Sequence, residues 1–355
     1  MTDTPRSTHL TKVYEIISSR RTISRPELAE LTGLSRTAIG LYIDNLIQRG
    51  FVEESGRGSS RGGRPPMIIR QRPEAAYALG ARMDDYVWNI VVTDLQARVV
   101  NKTRAIIPGK TPEVAVEALH GGVQRLLEES FDSSLRSRRL IPAIGVGTPG
   151  LVDTRAGIIK NAHDLGWFDV PIRKMIEERL AMKAYVVNRS KIGALAELES
   201  EESRGIKDLV YIWMGTGVAA GIIHDGKLMI GANSSAGELG HVTVEPNGPV
   251  CPCGNRGCLQ QLISEDAITT RATERLKHSS GTILHQLTGG QVEAVTVANV
   301  FEAAEMGDPA SVELVLEVAR YLGVVVANLV NLLNPELVVL GGPVGEASEL
   351  LTRAV

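Results

Sequence analysis

Glu238-Leu239-Gly240-His241, nine further residues, then Cys251-Pro252-Cys253-Gly254-Asn255-Arg256-Gly257-Cys258: this stretch holds all 3 cysteines of the 355-residue chain. Three thiolates and one imidazole make a four-ligand tetrahedral set, which closes a structural zinc site and leaves no open position for catalysis. The competing reading is three unrelated thiols. Flanking glycines and the tight Cys-x-Cys-x4-Cys spacing favour zinc, and a disulfide is not expected in a chain read as cytoplasmic. His241, Cys251, Cys253 and Cys258 are therefore the expected metal ligands.

Around this stretch the chain alternates strand-like and helix-like patterns. Ala143 to Gly147, Ala184 to Val187, Leu209 to Met214, Val218 to Ile223 and Leu337 to Leu340 are apolar runs ended by glycine or polar residues. Pro112 to Leu127 and Ser311 to Leu333 carry helical periodicity between them. That order predicts an α/β body of two lobes around a cleft.

The N-terminal segment follows another plan. Leu10, Val13, Ile16 and Ile17 recur at helical spacing, and Ser24 followed by Glu27 fits a capping box opening a helix with Leu28, Ala29 and Leu31. Gly33 ends it, and Ser35 caps a third helix with the stripe Ile39, Tyr42, Ile43, Leu46 and Ile47, closed by Gly50. Two helices joined by a tight glycine turn make a helix-turn-helix. Phe51 to Glu54 and Met67 to Arg70 flank a Gly/Ser/Arg loop and read as a wing, whose Arg61 and Arg64 can reach phosphates or a narrow minor groove. A disordered linker is the alternative for that loop. The outward side chains of the third helix are the candidate DNA readers: Ser35, Arg36, Thr37, Ala38, Gly40 and Leu41. Arg36 suits a guanine edge and Leu41 a thymine methyl, with the small Gly40 permitting close approach. A helix-helix contact in a dimer would use the same face.

Charge supports the division. Residues 1–73 hold 12 Lys and Arg against 7 Asp and Glu, a net +5, and the remainder holds 26 against 34, a net −8. A basic head on an acidic body is the footprint of a nucleic-acid-binding module fused to a second domain. We place the boundary between residues 1–73 and 74–355. The length is enough for a sizeable core, which excludes disorder and small disulfide scaffolds. There is no run of 18 uncharged apolar residues, and the start, Met1 to Arg6, is polar, so neither a membrane span nor an export signal is read.

From about Ala76 onward the chain resembles the ROK family of sugar kinases and sugar-responsive repressors. The resemblance is carried by the His/Cys stretch, by Gly145-Val146-Gly147-Thr148-Pro149-Gly150, by Gly166-Trp167 and by Leu340-Gly341-Gly342. The winged helix, with Gly63-Arg64-Pro65, is similar to that of the family's repressor branch. The resemblance implies a two-lobed actin/hexokinase-like domain. It also implies sugar contacts at Asn188, Glu238 and His241, with Gln260 where the family has a carboxylate.

Departures from the family pattern argue against catalysis. The kinases' Asp-x-Gly-Gly-Thr phosphate turn reads Arg82-Met83-Asp84-Asp85-Tyr86 here, so carboxylates would repel a triphosphate. The kinases' Asn-Asp pair, whose Asp is the general base, reads Asn188-Arg189, and a guanidinium accepts no proton. Gly215 to Gly221 is compatible with a purely structural turn. Arg189 and Gln260 point to a sugar other than plain glucose, such as one bearing a carboxylate or phosphate, unless Arg189 pairs with an acid such as Glu197. The chain stops at Val355, soon after Gly341-Gly342, where the resemblance implies a further strand and helices that help dock the DNA-binding head, so either the product is truncated or the head is held differently. The expected function is a non-enzymatic, sugar-responsive repressor that binds a two-fold operator as a homodimer or dimer of dimers. A sugar kinase with an added DNA-binding head and a binding scaffold without operator specificity are the rivals.

Overall fold

The computed structural model describes residues 5–57, 66–131, 139–200, 202–277 and 281–355. It divides into two compact units, one of residues 1–81, 89–105 and 119–144, the other of 82–88, 106–118 and 145–355.

The first unit begins with α1 (Pro5–Arg20), β1 (Thr22–Ser24), α2 (Arg25–Thr32) and α3 (Arg36–Gln48), followed by β2 (Val52–Arg57) and β3 (Met67–Gln71). The local signals act as expected. Ser24 and Glu27 form the reciprocal capping box at α2, and Gly33 closes that helix with φ 71°, a left-handed backbone suited to glycine. Ser35 caps α3 by accepting from the Ala38 N–H. Ile39, Ile43 and Leu46 are buried with Val13, Ile17 and Leu28, while Tyr42 and Ile47 pack against that core half-buried. Leu31 is the exception: it is 46% exposed, because α2 turns that flank to solvent. β1, β3 and β2 form an antiparallel sheet in that order, with a register shift between Glu54 and Arg57. Gln71 is buried and donates to the Tyr14 hydroxyl at 2.9 Å and to Ser18 Oγ at 3.0 Å, tying β3 to α1. β4 (Tyr77–Asp84), β5 (Val87–Asp94), β6 (Val99–Ile106) and β7 (Leu140–Thr148) follow, with α4 (Pro112–Ser130) before β7, and the residues of these elements are divided between the two units.

The second unit continues through β8 (Leu151–Asp153), β9 (Ile158–Ala162), β10 (Trp167–Val170), α5 (Ile172–Leu180), β11 (Lys183–Asn188) and α6 (Arg189–Leu198). β12 (Leu209–Met214), β13 (Val218–His224) and β14 (Lys227–Leu228) come next, then α7 (Gln260–Ile263), α8 (Glu265–Lys277), α9 (Ile283–Leu287), α10 (Val297–Glu305) and α11 (Pro309–Leu333). β15 (Leu337–Gly341), α12 (Gly342–Gly345) and α13 (Glu349–Ala354) complete it. β12 is buried along its whole length, as its unbroken apolar run requires of a strand covered on both faces. It pairs antiparallel with β13 and parallel with β15, in the sheet order β14-β13-β12-β15. The main core lies between this sheet and the helices α8, α10 and α11, through Ile212, Val300, Phe301 and Val318. Among the described residues no helix is long and apolar enough to cross a membrane.

Candidate sugar cavity, metal cluster and nucleic-acid face

The loop that links β14 to α7 carries both Glu238 and the cysteines. Gly237 has φ 88°, and a side chain there would run into the Ala220 carbonyl oxygen, so only glycine lets the loop lie against β13. The Ala220 N–H in turn donates to the Gly237 carbonyl at 2.6 Å. Gly257, with φ 63°, allows the same close approach to the Glu245 carbonyl at the turn before Cys258.

This folding gathers His241, Cys251, Cys253 and Cys258, whose ligand atoms all lie within 4.8 Å of one another. Cys251 Sγ is 3.7 Å from His241 Nδ1, and Cys253 Sγ is 3.7 Å from Cys258 Sγ. A tetrahedron with arms of about 2.3 Å has edges of about 3.8 Å, so the donor set fits a zinc ion. All three thiols are free of disulfides. Burial and the neighbouring Cys251 and Cys253 push the Cys258 thiol up to about 12.

The five expected sugar residues, Asn188, Arg189, Glu238, His241 and Gln260, line one cavity of about 430 Å³. β11 ends at Asn188, which caps α6: its Oδ1 accepts from the Ser190 N–H at 2.9 Å and the Ser190 hydroxyl at 2.7 Å, and its Nδ2 donates to the Gly150 carbonyl at 2.7 Å. Gln260 Oε1 accepts from the Val218 N–H at 3.3 Å. Burial raises the Glu238 carboxyl, opposed by His241 and Lys191. Sequence reasoning missed Asn161, His163, Asp164 and Trp213 in the same wall. Asn161 Nδ2 sits 2.8 Å from His163 Nε2, and among the described residues its buried Oδ1 has no hydrogen-bond partner. The run Asn161-Ala162-His163-Asp164 just before Gly166-Trp167 was the available signal: three polar side chains at the end of a strand.

Arg189 reaches a second cavity of about 220 Å³, walled by Arg82, Asp84, Asp85, Glu265 and Glu346 as well. Its guanidinium donates to Thr216 Oγ1 at 3.3 Å and stands 4.0 Å from Asp84 Oδ1. The acid beside it is thus Asp84 rather than Glu197, which instead accepts from the Ser200 and Ser203 hydroxyls. Arg82 bonds Asp84 at 2.9 Å, and the guanidinium carbons of Arg82 and Arg189 each lie 4.9 Å from the Trp213 ring centroid. Asp85 holds the turn between β4 and β5 at φ 51° and accepts from the Thr216 hydroxyl at 3.3 Å. Four carboxylates against two guanidiniums oppose a triphosphate. Gly215 to Gly217 form the hairpin turn between β12 and β13, where the Gly215 N–H donates to the Gly217 carbonyl at 3.0 Å.

On α3, Ser35, Arg36, Thr37 and Leu41 are exposed, Leu41 at 68%, while Ala38 and Gly40 are half-buried. Arg25 comes beside Gly40 and pairs with Asp44 at 2.9 Å and Glu54 at 3.2 Å, a neighbour of the reading face that the sequence did not announce. Arg61 and Arg64 lie outside the described residues.

Residues 85–355 match the model of the ROK family, and residues 7–53 match a winged helix-turn-helix DNA-binding model. The chain belongs to the ROK family. It is 32% identical to the xylose repressor of Caldicellulosiruptor bescii over 340 residues, covering 95% of this chain and 84% of that one. It is 30% identical to the DNA-binding transcriptional dual regulator NagC of Escherichia coli, covering 97% and 82%. A crystal structure of a ROK family transcriptional regulator, homologous to the E. coli MLC protein, superposes with TM-score 0.82 at 25% identity, over 98% of this chain and 86% of the other. A ROK glucokinase from Streptomyces griseus, in complex with glucose and AMPPNP, superposes with TM-score 0.71 at 28% identity, over 79% and 87%. The fold is thus a winged helix-turn-helix, as the sequence patterns predicted, and an actin-like ROK body, as the family resemblance implied. This ROK chain is a DNA-binding transcriptional regulator of the repressor branch and not a kinase.

Proposed function

We propose that this regulator represses genes of sugar uptake or catabolism and is released from its operator by a sugar held in the 430 Å³ cavity. The observation that carries the reading is one cavity wall shared by Asn161, Asn188, Glu238, His241 and Gln260, whose amides, carboxylate and imidazole suit vicinal hydroxyls. The relatives' names, which include a xylose repressor and an N-acetylglucosamine repressor, are consistent with a sugar effector. Arg189 is already answered by Asp84 and Thr216, which favours a neutral sugar over a sugar acid or phosphate.

Residues 1–73 form the DNA-binding head in this reading and residues 74–355 the sugar-binding body. Ser35, Arg36, Thr37, Ala38, Gly40 and Leu41 face the major groove, and Arg61 and Arg64 reach the backbone or minor groove. A homodimer or dimer of dimers matches a two-fold operator. Zinc on His241, Cys251, Cys253 and Cys258 would stiffen the loop that carries His241 into the cavity wall. Sugar and operator oppose each other by a coupling of typically about 1–3 kcal/mol.

Fluorescence anisotropy on the DNA upstream of the chain's own gene, against scrambled DNA and across a sugar panel, tests this. Preferential binding released by one neutral sugar is the expected outcome. Binding that is salt-sensitive but indifferent to sequence would support the scaffold reading instead.

A further inference from the structure

Lys191 lies in the first turn of α6, after Asn188, Arg189 and Ser190, and is only 2% exposed. Its Nζ donates to the Ser234 carbonyl at 2.6 Å. Ser234 is buried too, and its Oγ accepts the Thr154 N–H at 3.1 Å. Its backbone has φ 61°, a left-handed conformation that a non-glycine residue holds only when its surroundings impose it. Here the imposing contacts are those two hydrogen bonds.

The three segments meeting at this point are the ones that build the cavity. α6 is entered through Asn188 and Arg189, Thr154 belongs to the β8–β9 hairpin that supplies Leu151 and Asn161, and Ser234 precedes Glu238 by four residues. Neither Lys191 nor Ser234 is in the cavity wall. Burying an ammonium is costly, and an apolar side chain would fill the same volume without that cost, so packing alone does not account for a lysine here.

We propose that Lys191 is a positioning residue of the sugar site: through the Ser234 carbonyl it clamps the Glu238 loop and the β8–β9 hairpin onto α6, and so fixes Glu238 and Asn161 relative to Asn188. The sugar half of this inference rests on the cavity being the effector site. Preorganised acceptors matter most for telling epimers apart, because each hydroxyl must meet its partner without the wall moving.

Lys191→Met keeps the stem and removes the ammonium. In the full-length protein, amide exchange without sugar should accelerate across residues 151–156 and 230–238 and stay unchanged in the head. Affinity for the releasing sugar should fall by about tenfold or more, with discrimination between epimers reduced and sugar-free operator affinity unchanged. Lys191→Arg, which restores a donor, should recover part of both. If Lys191→Met does not fold, Ser234→Ala, which removes only the bond to the Thr154 N–H, should still weaken the sugar a few-fold and loosen residues 151–156. A folded Lys191→Met with wild-type exchange, or with wild-type affinity and epimer preference, overturns the proposal. A wild-type chain that binds no sugar of the panel overturns the effector reading, while the exchange comparison still decides whether Lys191 clamps the loop.

Discussion

Arg189 Nη2 donates to the Thr216 hydroxyl at 3.3 Å, and Thr216 in turn donates to Asp85 at 3.3 Å. By resemblance, Arg189 stands where the family's kinases carry their general base and the β4–β5 turn where they carry a phosphate loop; these bonds join the two, and with Asp84 they answer the guanidinium charge inside the protein. Restoring a carboxylate at position 189 would therefore put a third acid beside Asp84 and Asp85. Arg189→Asp should show no phosphoryl transfer in a coupled assay across hexoses and should lose about 3 kcal/mol or more of stability in urea, because a paired buried charge has been replaced by repulsion. Turnover by this variant or by the wild type would contradict a non-enzymatic body.

Glu265 reports on the same cavity. Its carboxyl is raised by burial first, then by Asp85 and Asp266. A carboxyl raised in the folded state favours folding when protonated, so stability is lost as pH rises through and above the ordinary glutamate range. Glu265→Gln should melt about 2 °C above wild type at pH 7, and the gap should close toward pH 4. A gap independent of pH would show that the gain came from something other than the charge.

Asn161→Ala removes a polar side chain from the wall of the proposed sugar cavity. The releasing sugar should then bind about tenfold more weakly by calorimetry, with sugar-free operator affinity unchanged. Equal sugar affinity in this variant would place the ligand elsewhere.

For the cysteine cluster the expectation is one zinc per chain by elemental analysis. Chelation, or Cys258→Ser, should weaken sugar binding before DNA binding, since the loop ending at Cys258 also carries His241 and follows Glu238. Simultaneous loss of both activities would mean that the metal holds the whole fold.

On the reading helix, Arg36→Ala should cost about 1–3 kcal/mol on the operator and much less on scrambled DNA, the mark of a base contact. An equal loss on both duplexes would make Arg36 a phosphate contact. Leu41→Ala should relax preference at a single A·T pair.

Local chemistry made the head legible. Ser24, Glu27, Gly33 and Ser35 act within a turn of where they stand, and each caps the helix end that its residue type predicts. The long apolar runs were equally clear, with Leu209–Met214 a strand from end to end. The β4–β5 hairpin was not, because Arg82 and Asp84 interrupt its apolar pattern and its turn is made by Asp85 in a left-handed conformation more often supplied by glycine. The short strands of residues 151–170 were missed for lack of length.

By itself the sequence determined the helix caps, the buried strands, the basic head and the identity of a three-thiolate, one-imidazole donor set, since these depend on residue type and near-neighbour spacing. Which acid answers Arg189, that Asn161 and His163 share a wall with Glu238, and that a buried lysine meets Ser234 43 residues away were decided only by the tertiary structure. Such pairings join residues far apart in the chain, and no local preference selects between Asp84 and Glu197 as the partner of a guanidinium. Only the packing that brings one of them within reach does.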